Sequence, residues 1–232
     1  MIDLRLADST ELLKQIPDRS IDAIITDPPY GCLNREWDQK QPFMRDALRV
    51  IKSGRVVSVF ANMKYAVELI NENPKYYRYD IVWKKSCSQG FLDCNRRPMR
   101  AHEFILIFAD GNTLYNPQKT SGKPYVRNRF ELKSNYHISD TEKFTTVSEG
   151  GRYPTDVLEF KSVGNRIHNT QKPLELMEWL VKTYTNEGDT VLDPFMGSGT
   201  TGVACKKLKR NFIGVEINEG FYNIAKERIE KE

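Results

Sequence analysis

The sequence predicts an α/β fold: a sheet covered by helices on both faces and interrupted by an irregular insertion. Three observations predict it. Short β-branched runs alternate with amphipathic segments from the start of the chain to about Asp110, the pattern lapses between there and about Arg166, and it then resumes to Glu232. The insertion therefore interrupts one domain and does not separate two. A chain of 232 residues, 39% hydrophobic and 28% charged, is long enough for one sizeable α/β domain with an insertion and short for two full domains.

Taken in order, "IDLRL" reads as a strand, "TELLKQI" as a helix and "IDAIIT" as a buried strand. "PFMRDALRVI" is a helix, "RVVSVF" a strand, "KYAVELI" a helix, and "YDIVWKK" and "EFILIFA" are strands. The clusters "GNTLYNPQKTSGKPYVRN" and "VSEGGRYP" then show little periodicity, and loops this long in compact domains are usually functional or disordered. Afterwards "KPLELMEWLVKTY" is a helix, "DTVLD" a strand, "GTTGVACKKLKR" a helix, "NFIGVEI" a strand and "EGFYNIAKERIEKE" a closing helix.

The stretch "IITDPPYG" ends the second strand, because Pro28 and Pro29 cannot donate to a ladder. Consecutive prolines also fix the backbone around them. The Asp27 carboxylate, the Pro28 carbonyl and the Tyr30 ring are thus presented rigidly at a strand's carboxyl end, the edge where open α/β sheets bind ligands. A second motif, "VLDPFMGSGTTG", is a strand, a glycine-rich turn and a helix start. Gly197, Gly199 and Gly202 satisfy G-x-G-x-x-G, and Glu216 ends the next strand where an acid would meet ribose hydroxyls. Only one helix follows Glu216, so this unit must complete its sheet with strands from the first half of the chain.

Net charge is +4 overall, but residues 75–133 carry twelve Lys and Arg against five Asp and Glu, interleaved with aromatics such as Tyr76, Tyr79, Phe91 and Tyr125. That mixture suits a phosphate backbone beside exposed bases. The cysteines, Cys32, Cys87, Cys94 and Cys205, lack zinc-ligand spacing, which predicts reduced, partly buried thiols and no metal. No apolar run reaches membrane-spanning length and "MIDLRLADS" is unlike a signal peptide, so a soluble cytoplasmic protein is expected.

"DPPY", a basic insertion, "HNTQKP", "DPFMGSGTT" and "FIGVEIN", in that order, resemble the S-adenosylmethionine-dependent DNA amino-methyltransferases of the β arrangement, in which the catalytic motif precedes the cofactor motif. The resemblance covers nearly the whole chain except the insertion. It implies a Rossmann-like methyltransferase sheet formed by residues 1–110 and 166–232, with a target-recognition insertion at 111–165. It implies methyl transfer to adenine N6 in double-stranded DNA by base flipping, with cytosine N4 as the alternative. Asp27 and the Pro28 carbonyl would accept the amino hydrogens, Pro29 would hold the turn, and Tyr30 would stack on the flipped base. S-adenosyl-L-methionine would meet Asp193, Phe195 and the turn Gly197, Ser198, Gly199 and Thr200. Glu216 would lie at the ribose, Asn218 would also meet the cofactor, Asp8 of "LADSTELL" would lie near the adenine, and His168 with Lys172 at the carboxylate end. Arg96, Arg97, Arg100, Lys119, Lys123, Arg127 and Arg129 are the expected DNA contacts. A homodimer and a cognate restriction endonuclease are the expected protein partners. Rival readings are a protein-glutamine methyltransferase, a dehydrogenase, and a DNA-binding protein with a degenerate cofactor site.

Overall fold

The computed structural model describes residues 1–31, 39–129, 144–164 and 171–232, with the backbone alone at 128, 129 and 144. In chain order the elements are β1 (Ile2–Leu6), α1 (Ser9–Gln15), β2 (Ile21–Thr26), α2 (Met44–Val50), β3 (Ile51–Ala61), α3 (Met63–Glu72), β4 (Tyr77–Gln89) and β5 (Arg100–Ala109). They continue with β6 (Thr120–Ser121), β7 (Tyr125–Arg129), β8 (Phe144–Ser148), β9 (Gly151–Arg152) and β10 (Val157–Phe160). The last are α4 (Leu174–Tyr184), β11 (Thr190–Asp193), α5 (Thr200–Lys207), β12 (Asn211–Glu216) and α6 (Glu219–Lys231). The chain forms two compact units, Met1–Asn116 with Asp156–Glu232, and Pro117–Thr155.

In the first unit the main sheet runs β1-β12-β11-β2-β3-β5-β4-β10. The strands from β1 to β3 are mutually parallel. β5 runs antiparallel between β3 and β4, and β10 closes the far edge parallel to β4. β11 lies between β12 and β2, so the C-terminal βαβ segment does complete its sheet with strands from the first half of the chain. β2 is buried at every residue, as a parallel strand covered on both faces must be. Because side chains alternate across a strand, Ile25 joins one core cluster with Phe60, Leu180 and Phe212 beneath α4, α5 and α6. Ile24 joins the other with Leu12, Ala47 and Leu69 beneath α1, α2 and α3. The expected α/β sheet with helices on both faces is thus observed.

Several details differ from the sequence reading. β10 lies within the stretch read as an insertion, yet it pairs with β4. Leu158 is buried in the first core cluster, and Trp83 Nε1 donates to the Phe160 carbonyl at 3.0 Å. A four-residue strand with one buried apolar residue is too short to show a period. The second unit is less irregular than its composition implies, with antiparallel ladders of β6 with β9 and β7 with β8. Among the described cysteines only Cys205 is buried, while Cys87 and Cys94 are exposed.

Candidate functional site

Three parallel strands end at one edge of the sheet, and each brings a carboxylate there. Asp27 follows β2 directly, Asp193 is the last residue of β11 and Glu216 the last of β12. A cavity of about 210 Å³ opens at this edge, and its wall includes Asp8, all of Asp27 to Tyr30, Glu103, Lys172, Asp193 and Glu216.

On one side of the cavity lies a buried charge network. The Tyr30 hydroxyl donates to Asp27 Oδ1, and the Lys172 ammonium donates to Asp27 Oδ2. Lys172 Nζ is also 3.5 Å from Glu103 Oε2 and sits over the Phe60 ring at 4.8 Å. Lys85, beyond it, pairs with Glu103 Oε1. Burial opposes the charge on Lys172, but Asp27 and Glu103 outweigh it and raise its pKa. Burial likewise opposes ionisation of Glu103, and the ammoniums of Lys172 and Lys85 overcome it, holding the carboxyl below its usual range. Glu103 Oε2 is buried and accepts no hydrogen bond among the described residues. The Tyr30 ring packs against Tyr65, centroids 5.4 Å apart, and burial together with the Asp27 charge pushes its phenol pKa well up.

On the other side, Glu216 is held by backbone donors. The Gly197 amide donates to Oε2 at 3.0 Å and the Asn218 amide to Oε1 at 2.9 Å, which aims the carboxylate while leaving each oxygen further acceptor capacity. Burial nevertheless raises its pKa. A Cβ on Gly197 would meet nothing within 4 Å, so its backbone borders open space, and φ of 51° favours glycine there. Asp193 is tied inward. Thr26 Oγ1 donates to Oδ1 at 2.8 Å, the Phe195 amide to the same oxygen at 3.1 Å and Thr201 Oγ1 to Oδ2 at 2.6 Å. Burial pushes this carboxyl up to about 6 despite those donors. Asp8 caps α1 through Oδ1, accepting from the amides of Thr10 and Glu11, and the Thr10 hydroxyl bond lowers its pKa.

The other sequence-predicted residues divide. Phe195, Ser198, Thr200 and Asn218 line the cavity; Gly199 does not, and packs instead against α6, where a Cβ would come within 2.8 Å of the Ala225 Cβ. Lys172, expected at the cofactor, is engaged by Asp27 and Glu103. His168 lies outside the described residues, as does the Arg129 side chain. Arg96, Arg97 and Arg100 are exposed in the first unit, although Arg97 pairs with Asp93. Lys119, Lys123 and Arg127 are exposed in the second, where Lys119 lies over the Tyr153 ring at 4.3 Å. Sequence reasoning missed Glu103, Lys85, and Arg228, which braces the glycine turn through the Ser198 carbonyl and hydroxyl. It also missed Arg152, stacked on Tyr125 at 4.7 Å. None carries a local motif.

A mixed sheet with this order and a carboxylate-lined cavity at its parallel strand ends defines the class of Rossmann-like methyltransferases. The DNA methylase family of N6 and N4 methyltransferases matches residues 21–227, and the chain belongs to it. Type II methyltransferase M.HpaI of Haemophilus parainfluenzae is 30% identical over 254 residues, spanning 100% of this chain and 76% of that protein. M.HindIII of Haemophilus influenzae is 27% identical, spanning 96% and 93%. Among solved structures, the M1.HpyAVI complex with S-adenosylmethionine has a TM-score of 0.69 at 28% identity, covering 98% of this chain and 100% of that one. The cytosine-N4-specific PvuII DNA methyltransferase, at 17% identity, shares the fold with a TM-score of 0.72 over 98% of this chain and 86% of its own. The protein is an S-adenosylmethionine-dependent DNA amino-methyltransferase. The cavity fits that cofactor: Glu216 offers acceptors, Gly197 leaves room for close approach, and the surrounding carboxylates suit a sulfonium cation.

Proposed function

We propose that this protein methylates N6 of adenine at a specific sequence in double-stranded DNA, on a base turned out of the helix. In this reading residues 1–110 and 166–232 bind the cofactor and perform the chemistry, and 111–165, apart from the β10 segment that joins the main sheet, recognise the target. The observation that carries it is the Asp27 carboxylate in the cavity wall, held from both sides by Tyr30 and Lys172. Bound S-adenosylmethionine supplies the methyl group as a sulfonium electrophile. An exocyclic amine is a poor nucleophile because its lone pair is delocalised into the ring. Asp27 and the Pro28 carbonyl, accepting its two hydrogens, direct that lone pair outward and stabilise the positive charge that develops on nitrogen. Lys172 keeps Asp27 oriented, and Glu103 gives Lys172 a second partner when the amine takes its place at Asp27. The Tyr30 ring, backed by Tyr65, receives the flipped base; such stacking contributes about 1 to 3 kcal/mol against a flipping cost of a few kcal/mol. Glu216 accepts from the ribose hydroxyls and Asp8 lies near the adenine of the cofactor.

Asp at position 27 supports adenine, since in the enzymes this motif order resembles Asp usually accompanies adenine and Ser usually accompanies cytosine. Relatives carrying Type II methyltransferase names support a place beside a restriction endonuclease. Homodimerisation belongs to the same reading, and a monomer fully active in sedimentation and turnover assays removes it. The test of the target is chromatography of nucleosides from DNA methylated by the purified protein: N6-methyladenine is expected, and a dominant N4-methylcytosine peak overturns the adenine assignment.

A further inference from the structure

We infer that Phe91 and Leu92, at the tip joining β4 to β5, form a wedge that enters the DNA stack where the target base leaves it; the inference rests on the base-flipping reading above. β4 and β5 outrun their neighbours. β3 makes its last pairing with β5 at Phe104 and β10 its last with β4 at Lys85, whereas β4 and β5 remain paired as far as Gln89 and Arg100. The pairing shifts between Lys84 and Gln89, an irregularity that bends a ribbon and strengthens its twist. This ribbon projects from the edge where the cavity opens, and its base is in the cavity wall, because Glu103 lines it. From Glu103 to Arg100 the strand advances roughly 10 Å, about three base steps of a duplex.

The tip is built to present its apolar residues. The Asp93 and Cys94 amides donate to the Gly90 and Phe91 carbonyls at 3.0 and 3.1 Å, the amides of Arg96 and Arg97 both donate to the Asp93 carbonyl, and the Arg97 guanidinium pairs with the Asp93 side chain. On this platform Phe91 is 73% exposed and Leu92 99% exposed. Isolated exposed apolar side chains are ordinary, but here two adjacent ones crown a basic projection, since Arg96, Arg97 and Arg100 are exposed beside them against the one carboxylate of Asp93. The chemistry that matches is apolar between layers and anionic along its edges, which is a stacked duplex with its phosphates. A second copy of the chain, meeting the exposed arginines Arg96, Arg97 and Arg100 through the same surface, is disfavoured by repulsion. Apolar side chains inserted between base steps unstack them, and here they fill the gap a flipped base leaves behind.

The test uses the whole protein and a duplex whose modified position has been mapped, prepared once with the normal partner base and once with an abasic site opposite the target. The Phe91→Ala/Leu92→Ala variant, altered only at exposed positions, keeps the wild-type melting temperature and KM for S-adenosylmethionine. On the paired duplex it loses about tenfold or more in kcat/KM, and on the abasic-opposed duplex, where no partner must be parted, it returns to within about threefold of wild type. A 2-aminopurine directly 3′ of the target brightens with wild type and not with the variant. Equal losses on both duplexes, or none on either, overturn the wedge. A loss that tracks dissociation of a dimer in sedimentation assigns the tip to self-association and overturns it too. If 2-aminopurine stays dark with a wild-type enzyme that methylates both duplexes, base flipping itself fails and takes the wedge with it.

Discussion

Replacing Asp27 with Ala isolates the part of the site that acts on the reacting nitrogen. The carboxylate accepts from the Tyr30 hydroxyl on Oδ1 and from Lys172 on Oδ2, so it is oriented before substrate arrives. One preorganised partner of developing charge is worth about 2.7 to 4 kcal/mol in a transition state, which is about 100- to 1000-fold in the rate of methyl transfer. Stability should suffer less. A buried ammonium stripped of its only carboxylate costs about 3 to 5 kcal/mol, but Lys172 retains Glu103 at 3.5 Å and the Phe60 ring at 4.8 Å. A loss of about 1 to 2 kcal/mol is therefore expected, or roughly 2 to 8 °C in melting temperature for a chain of this size. The assay is single-turnover transfer of labelled methyl to DNA with both substrates saturating, beside thermal unfolding. A variant that folds and transfers methyl within about threefold of wild type refutes the reasoning, because a 2.7 kcal/mol contribution cannot be removed so cheaply.

Two further predictions concern other walls of the cavity, and a third concerns the packing behind the glycine turn. Glu216→Ala should raise KM for S-adenosylmethionine and leave kcat at saturation nearly unchanged, since ribose contacts are made equally in ground and transition states; an unchanged KM in initial-rate measurements withdraws the ribose role. Asp193, pushed by burial up to about 6 from the ordinary carboxylate value of 3.8, binds its proton more tightly folded than unfolded, so its contribution to stability is fullest below about pH 4 and is lost as pH rises through 6. In urea titrations Asp193→Asn should therefore gain on wild type between pH 4 and 6 and run parallel above about pH 7; parallel curves throughout contradict the burial argument. Gly202→Ala should destabilise the fold by about 1 to 3 kcal/mol without altering KM for the cofactor, because its Cβ would clash with Ile229 and lie 2.6 Å from the Phe212 ring, away from the cavity; a rise in KM at unchanged stability would place this glycine at the ligand instead.

Much of this site was legible because its residues sit at strand ends marked by local breakers. Prolines after Asp27 and glycines after Asp193 announce where the chain leaves the sheet, and the sheet's parallel order then gathers Asp27, Asp193 and Glu216 at one edge. Glu103 had no such marker. It opens an apolar run, "EFILIFA", and its importance comes from Lys172 and Lys85, partners distant in sequence that only the strand order brings together. Arg228 reads as the polar face of a closing helix, and its reach to Ser198 depends on how α6 lies against the glycine turn. The glycines were legible as a pattern but not by role, since Gly197 borders the cavity while Gly199 and Gly202 serve close packing. β10 was hidden by brevity, as its pairing with β4 is long-range.

In the proposed mechanism the edge shared by β2, β11 and β12 holds the cofactor at Glu216 and offers Asp27 and the Pro28 carbonyl to a base amine. A crystal structure of the protein with a cofactor analogue and duplex DNA carrying its mapped target tests it most directly. Both ribose hydroxyls are expected within hydrogen-bond distance of Glu216, and the target base out of the stack on Tyr30 with its amino group between Asp27 and the Pro28 carbonyl. A cofactor bound away from Glu216, or an amino group engaged by other residues, would contradict it.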